Sequence, residues 1–406
     1  MVPDVPDGWS LLTLNELGSV RKCRGGSKRD EVAHGLPVVR YGELYTRHHE
    51  VIRDFYSFLS AERSPEYTEL EPGDVLFAGS GETLDEIGKS AVFLGPAPAF
   101  ASGDIVLLRP GPQLDPLFAG YATNGPDAVR QKARVGQGSS VMHIYAHSIG
   151  RLRLLVPPLP EQRKIAEILS SVDDAITATQ RVISQTDRVK KGLLQTLTTR
   201  GIGHTRFKQT VIGEIPEAWK VARLGELFRR RQEGGLKGLP TLAVTLDAGL
   251  VRREQLERRI DSELSVEDHL LVRDRDLVYN TMRMWQGGCG FAGEDGIVSP
   301  AYVVAATKGA LRSEYASFLF QSRAMINRFF SFSQGITRDR LRLYWDHFSM
   351  VRMALPSPTE QREIAEVLAS VEIGRDGSNR NLLRLTRLKR GLMQDLLTGR
   401  VRVQVT

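Results

Sequence analysis

Glu161-Gln-Arg-Lys-Ile-Ala-Glu-Ile-Leu-Ser-Ser-Val172 is written twice in this chain. It returns as Glu360-Gln-Arg-Glu-Ile-Ala-Glu-Val-Leu-Ala-Ser-Val371, 199 positions further on (360 − 161). The same offset still holds where Lys190-Lys-Gly-Leu-Leu-Gln195 meets Lys389-Arg-Gly-Leu-Met-Gln394. An ungapped match over this length fixes the distance between its ends, as a rigid rod requires and a loop does not. A repeat of this kind sets the architecture.

Within the first copy, Ile165, Leu169, Val172, Ile176, Thr179, Ile183, Thr186, Lys190, Leu193 and Leu197 alternate steps of four and three. That is a heptad seam, the pattern of a helix buried along one narrow stripe. Pro160 suits a first helical turn, where the N–H it lacks would go unbonded. One helix over 160–198 would run about 58 Å. The second copy keeps the seam with Ile364, Leu368, Val371, Leu382, Leu385, Leu392 and Leu396. Gly374 and Gly377 each cost about 1 kcal/mol relative to alanine, so a kink or frayed turn is expected near 374–379. Two matched seams in one chain suit pairing with each other. Parallel pairing would set the flanking bodies side by side; antiparallel pairing would set them at opposite ends, about a pseudo-two-fold axis. Antiparallel is the expectation, because the chain between the rods then returns along them without strain.

The opening Val5-Pro-Asp-Gly-Trp9 with Leu14-Asn-Glu-Leu17 also recurs, as Ile215-Pro-Glu-Ala-Trp219 with Leu224-Gly-Glu-Leu227, at an offset of 210 (219 − 9). The middle of the second copy is therefore shorter by eleven residues (210 − 199). Constant ends around a variable middle imply one scaffold carrying two working surfaces. In the first middle, Leu36-Pro-Val-Val-Arg-Tyr41, Asp74-Val-Leu-Phe77, Ala91-Val-Phe-Leu94 and Ile105-Val-Leu-Leu108 are short β-prone runs between Gly and Pro punctuation. Leu277-Val-Tyr279 and Tyr302-Val-Val304 repeat the style. Arg151-Leu-Arg-Leu-Leu-Val156 and Ser349-Met-Val-Arg-Met-Ala-Leu355 read as closing strands, each before a proline turn. The expected fold is α+β: two mixed α/β domains separated by two long helices that pair as an antiparallel coiled coil, with a pseudo-two-fold internal repeat. The boundaries fall at 1–157, 158–199, 200–355 and 356–406.

Composition narrows the class. With 406 residues, 41% hydrophobic and 25% charged, the chain is a globular protein of more than one domain. The excess of 55 Lys+Arg over 48 Asp+Glu, net +7, favours a polyanionic partner. Cys23 and Cys289 stand far apart, with no second ligand at metal spacing, so neither a disulfide framework nor a zinc site is expected. The N-terminus lacks the n- and h-regions of a signal peptide, and no apolar run has membrane-spanning length. A cytoplasmic protein is expected.

Chemical signals point to binding rather than catalysis. Arg21-Lys-Cys-Arg24 with Lys28-Arg29, and Arg229-Arg-Arg231, are basic clusters at equivalent places after the two openings. One such cluster is usually a solvated face; two on a duplicated scaffold suit two phosphate contacts. The Gly-rich loops offer candidate base readers: Arg40, Tyr41, Ser80, Thr83, Gln137, Ser139 and Ser140 in the first body, and Asn280, Arg283, Trp285, Gln286, Gln334, Thr337 and Arg338 in the second. Arg matches guanine, and Asn or Gln matches adenine, because each makes two hydrogen bonds to a base edge; the plain alternative is that these residues only satisfy turns. No phosphate-binding loop, dinucleotide fingerprint or Asn/Asp-Pro-Pro-Tyr/Phe tetrapeptide occurs. His48-His49, His143 and His147 stand at no recognised catalytic spacing, and Asp74 with Glu82-Thr-Leu-Asp85 reads as structural rather than as a nuclease site.

At the two Glu-Gln-Arg-x-Ile-Ala-Glu rods and the Pro-x-x-Trp openings, the chain resembles the specificity subunit of type I restriction–modification enzymes, over essentially its whole length. Pro157-Pro-Leu-Pro-Glu-Gln-Arg163 and Pro356-Ser-Pro-Thr-Glu-Gln-Arg362 resemble that family's strand-to-helix junctions, and Lys191-Gly-Leu-Leu-Gln195 and Arg390-Gly-Leu-Met-Gln394 its rod ends. Asp74-Val-Leu-Phe-Ala-Gly-Ser-Gly-Glu-Thr83 with Glu86-Ile-Gly-Lys89 looks like one type of its target-recognition domain; the second body departs, with Asn280-Thr-Met-Arg283 instead. The resemblance implies two domains that each read half of a bipartite, asymmetric site in double-stranded DNA. It implies paired helices that measure the unread gap and dock two methyltransferase subunits. Those partners would hold S-adenosylmethionine and methylate adenine, and a motor-nuclease subunit would consume ATP with Mg. The chain itself would be non-catalytic, without metal or cofactor and without a membrane. Two rival readings remain: a stand-alone DNA-modifying enzyme with an unfamiliar motif, and a structural bridging protein.

Overall fold

A computed structural model describes residues 5–26, 28–83, 86–96, 98–138, 141–256, 264–337 and 340–404. It divides into two compact units, one of residues 1–180 with 380–406 and one of residues 181–379. In the first unit, the strands Gly18–Lys22, Ile105–Pro110, Val75–Ala78, Ser90–Phe93 and Val51–Ile52 form one sheet in that order. Val75, Leu76, Phe77 and Ala78 are buried on both faces of it, which is why that run reads as continuously apolar rather than alternating. A second five-stranded sheet orders Glu31–Val32, Ser57–Leu59, Leu36–Val39, Phe100–Ala101 and Thr68–Glu69. The second unit repeats the first sheet with Phe228–Arg231, Tyr302–Thr307, Leu277–Asn280 and Cys289–Phe291, in the corresponding order. In place of the other five-stranded sheet it has two two-stranded ribbons, Leu242–Thr245 with Gly249–Arg252 and Leu270–Val272 with Gly296–Val298.

The repeated openings have a structural reason. Ser10–Thr13 pairs antiparallel with Arg153–Val156, and Lys220–Arg223 with Arg352–Leu355, so each body is closed by a two-stranded ribbon of its first and last strands. The closing strand is shorter than the run 349–355 suggests, because Ser349 and Met350 finish a helix, Trp345–Met350.

Each rod is one helix, Leu159–Arg200 and Pro358–Leu396. The expected kink at 374–379 is absent: the second helix runs through both glycines unbroken. Tertiary pairing offsets their cost. In the second unit Lys190 Nζ donates to Glu372 Oε1 at 2.5 Å and Arg375 Nε to Asp187 Oδ1 at 2.5 Å, on either side of Gly374. In the first unit Lys389 reaches Asp173 at 2.8 Å and also pairs with Glu50. In both units the index falls along one helix as it rises along the other, so the pairing is antiparallel. Asp173 and Glu372 are repeat equivalents, as are Lys190 and Lys389, and a polar residue at such a seam position fixes register. Among residues 180–192 only Ile183, Thr186 and Lys190 escape full exposure, which are the seam positions of that stretch.

The Glu-Gln of the repeated motif ties each helix to its body. Glu161 accepts the Trp9 indole N–H at 3.1 Å and both forks of Arg402; Glu360 accepts the Trp219 indole N–H at 2.8 Å and shares 2.8 Å with His204 Nε2. Gln162 accepts from Asp115 N and donates to Gln113 O and Pro157 O. Gln361 accepts from Arg312 N and donates to Ala310 O and Pro356 O. A buried amide with both ends bonded to backbone in this way holds a strand-to-helix corner rigid.

Candidate nucleic-acid interface

In the first unit, the buried strand Val75–Ala78 runs out into Gly79, Ser80 and Gly81. Ser80–Gly81 pairs with Met142–His143, and Ile144 N–H donates to Gly79 O at 2.9 Å. The helix Pro126–Val135 delivers Gln137 to the other side of the same ribbon. There Gln137 N–H donates to His143 O at 3.0 Å and His143 N–H to Gln137 O at 2.7 Å. Ser80 Oγ lies 2.9 Å from His143 Nδ1. The rings of His143, Tyr145 and His147 stack in series, with centroids 6.5 and 6.0 Å apart, and Tyr145 is 49% exposed.

The second unit builds the same arrangement. The helix Arg323–Phe332 delivers Gln334, which exchanges backbone hydrogen bonds with Arg342 at 2.9 and 2.8 Å. Leu343 N–H donates to Thr281 O at 2.9 Å, as Ile144 does to Gly79, and Tyr344 is 46% exposed, as Tyr145 is. Thr281 follows the strand Leu277–Asn280, as Gly79 follows Val75–Ala78.

The structure brings some of the sequence candidates together and leaves others apart. Ser80 and Gln137 meet on one ribbon. Thr83 is exposed just beyond it, while Ser139 and Ser140 lie outside the described residues. Arg40, with a side chain 13% exposed, turns toward Glu31 at 3.7 Å and caps the helix Tyr41–Thr46, so it serves its own sheet; Tyr41 is exposed beside it. In the second body Asn280 accepts Met282 N–H with its own side chain, and Arg283 donates to Gln286 Oε1 at 3.0 Å. Trp285 donates its indole N–H to Met282 O and meets Phe330 edge-on. Those four residues form one tight turn, with Arg283 exposed. Gln334 and Thr337 are exposed, and Arg338 lies outside the described residues.

The basic clusters are divided too. Arg21, Lys22, Arg24, Arg229 and Arg230 are exposed, but Arg231 is spent on Asp276 at 2.6 Å and Glu233 at 2.6 Å. Asp74 is buried under the two forks of Arg109 and accepts Glu71 N–H, so its role is structural, while Asp85 lies outside the described residues. Burial pulls His48 down to about 4. Among the described residues no group of three acidic, His or Cys side chains is placed to hold a metal, and no helix is long and apolar enough to cross a membrane.

Sequence reasoning missed Tyr145, Tyr344, Arg342 and Lys132, and weighed His143 only as a catalytic group. The two tyrosines stand at the rod offset of 199, so extending the repeat upstream of the rods would have found them. Lys132 is fully buried in the helix that carries Gln137, and donates to Gly88 O and Thr123 O, both at 2.8 Å. Burial pulls its ammonium down to about 7.

Residues 6–186 match the family described as type I restriction modification DNA specificity domain. Over 98% of its length the chain is 24% identical to the MjaVIII type I restriction enzyme specificity subunit of Methanocaldococcus jannaschii, of which the match covers 94%. A putative MjaX specificity subunit of the same organism is also 24% identical, over 99% of this chain and 96% of that protein. The crystal structure of a type I restriction–modification S subunit from M. genitalium shares the fold, with a TM-score of 0.60 at 14% identity, over 98% of this chain and 99% of that one. The exposed ribbon of each unit carries one of the candidate glutamines, Gln137 or Gln334.

Proposed function

We propose that this chain is the DNA-reading, non-catalytic subunit of a type I restriction–modification complex. Its two bodies each read one half of a bipartite, asymmetric site, phosphate contacts set the register, and the long helices measure the unread gap. The same helices dock two methyltransferase subunits, which hold S-adenosylmethionine and methylate adenine after it leaves the stack. A motor-nuclease subunit that consumes ATP with Mg joins in hosts that carry one. The observation that supports this reading best is a duplicated scaffold with unlike loops: identical Trp–Glu and Gln–backbone ties in both units, but Ser80-Gly-Glu-Thr83 in one and Thr281-Met-Arg-Met284 in the other.

The test is methylome sequencing of a host expressing the complex with this chain and with a variant carrying one extra heptad at equivalent points of both helices. Seven residues add about 10 Å of helix and keep the seam on one face. The expected result is an unchanged pair of half-sites with a gap about three base pairs longer. An unchanged gap overturns the ruler, and the absence of any defined methylated sequence overturns the whole reading.

A further inference from the structure

Three features of the ribbon are shared by both units. The first is a glutamine followed by glycine, Gln137-Gly138 and Gln334-Gly335. The second is that each glutamine is clamped through both its N–H and its C=O, to His143 and to Arg342, so its backbone is held on both sides while the residue is exposed to solvent. The third is the exposed tyrosine two positions after the clamp partner, Tyr145 or Tyr344. The amide of Gln137 makes no hydrogen bond among the described residues. The amide of Gln334 donates only to His347 Nε2, at 2.8 Å, on the same surface.

We propose that Gln137 and Gln334 are the paired adenine readers of this chain, each meeting one adenine at the corresponding position of its own half-site. The inference rests on the reading of the chain as a DNA-specificity subunit. A carboxamide presents one acceptor and one donor in a plane, which match the N6 amino group and N7 of adenine in the major groove and no other base edge. Holding the backbone beforehand removes much of the ordering cost that a mobile loop would meet on binding. Gln334 exchanges His347 for the base; Gln137 has no such bond to give up. The clamp partners differ where the half-sites must differ. In the second unit Arg342 is exposed, and its guanidinium has no hydrogen bond or ion pair among the described residues, which suits a guanine next to the adenine. In the first unit His143 is already engaged with Ser80. Ile336, 98% exposed two residues after Gln334, suits the methyl group of a neighbouring thymine.

The test uses the whole complex, with selection from randomised duplex DNA as the readout, so that binding is scored independently of methylation. Gln137→Ala should relax one adenine position of one half-site, with preference there falling about 5- to 150-fold, while the other half-site and the gap stay as in the parent. Gln334→Ala should do the same in the other half-site, and Gln137→Arg should move its position toward guanine. Thermal midpoints matching the parent's would show that the variants are folded. A relaxed position that is not adenine, a site unchanged by either alanine variant, or a folded variant that selects no base anywhere would each overturn the inference. A parent complex that selects no sequence would instead overturn the reading of the chain as a specificity subunit.

Discussion

Lys132 and Phe329 occupy the same place in the two bodies: each is the seventh residue after the cap of the helix that delivers Gln137 or Gln334, and each is fully buried. In one body the site is a cation tied to the carbonyls of Gly88 and Thr123. In the other it is an aromatic ring among Phe320, at 5.2 Å, and Phe348, at 6.2 Å. The scaffold thus tolerates opposite chemistry under the ribbon, provided the helix stays where it is. The lysine binds its helix to residues 86–89, which lead away from Ser80 and Thr83. Phe329 holds its helix by apolar packing alone. The junction between rod and body shows the reverse case, where Gln162 and Gln361 make the same three bonds in both units.

The strongest way to break this contrast is at the shared junction. Gln162→Ala and Gln361→Ala should each cost about 2–3 kcal/mol, because each leaves a backbone donor and two carbonyls unbonded in the interior. Urea unfolding of the two variants should show equal losses; a loss at one junction alone would mean that the ties are not equivalent. The unlike pair gives a pH signature. Burial holds the Lys132 ammonium at about 7, against an ordinary 10.5, so between those values the unfolded chain binds more protons than the folded one. Stability should therefore rise with pH across that window, by at most about 1.4 kcal/mol per unit, with the penalty fully present below pH 7. Lys132→Met should flatten that slope in urea midpoints taken at pH 7, 8 and 9; an unchanged slope would mean that the group stays charged in the fold. The smallest effect concerns the rods. Gly374 and Gly377 stand where the first rod has Ala175 and Ala178, and a Cβ at either meets nothing within 4 Å. Gly374→Ala should add about 1 kcal/mol of stability, and no gain would show that the glycine serves more than helix continuity.

The rods were legible in the sequence because helix periodicity is local: a stripe at steps of three and four is visible in any window, and the 199-residue repeat doubled the signal. The antiparallel order came from the chain between the rods, and the closing strands from short apolar runs before a proline turn. The uninterrupted second helix was not legible, since two glycines argue against it locally, and what opposes them is pairing with the first helix, where Lys190 meets Glu372. The candidate interface was half legible. Composition picked out Ser80, Gln137 and Gln334, but nothing in the sequence joins Gln137 to Ser80, which strand pairing brings onto one ribbon. Nor does it show that Arg231 and Arg40 are drawn toward acids of their own sheets.

What the sequence by itself determined is thus the duplicated frame: two long helices, their seam and the length between their ends, all set by contacts between residues a few positions apart. Tertiary structure alone decided which polar side chains remain available to a ligand. That depends on partners tens or hundreds of residues away, because a charge or amide is free only if no distant strand has brought it a counterpart.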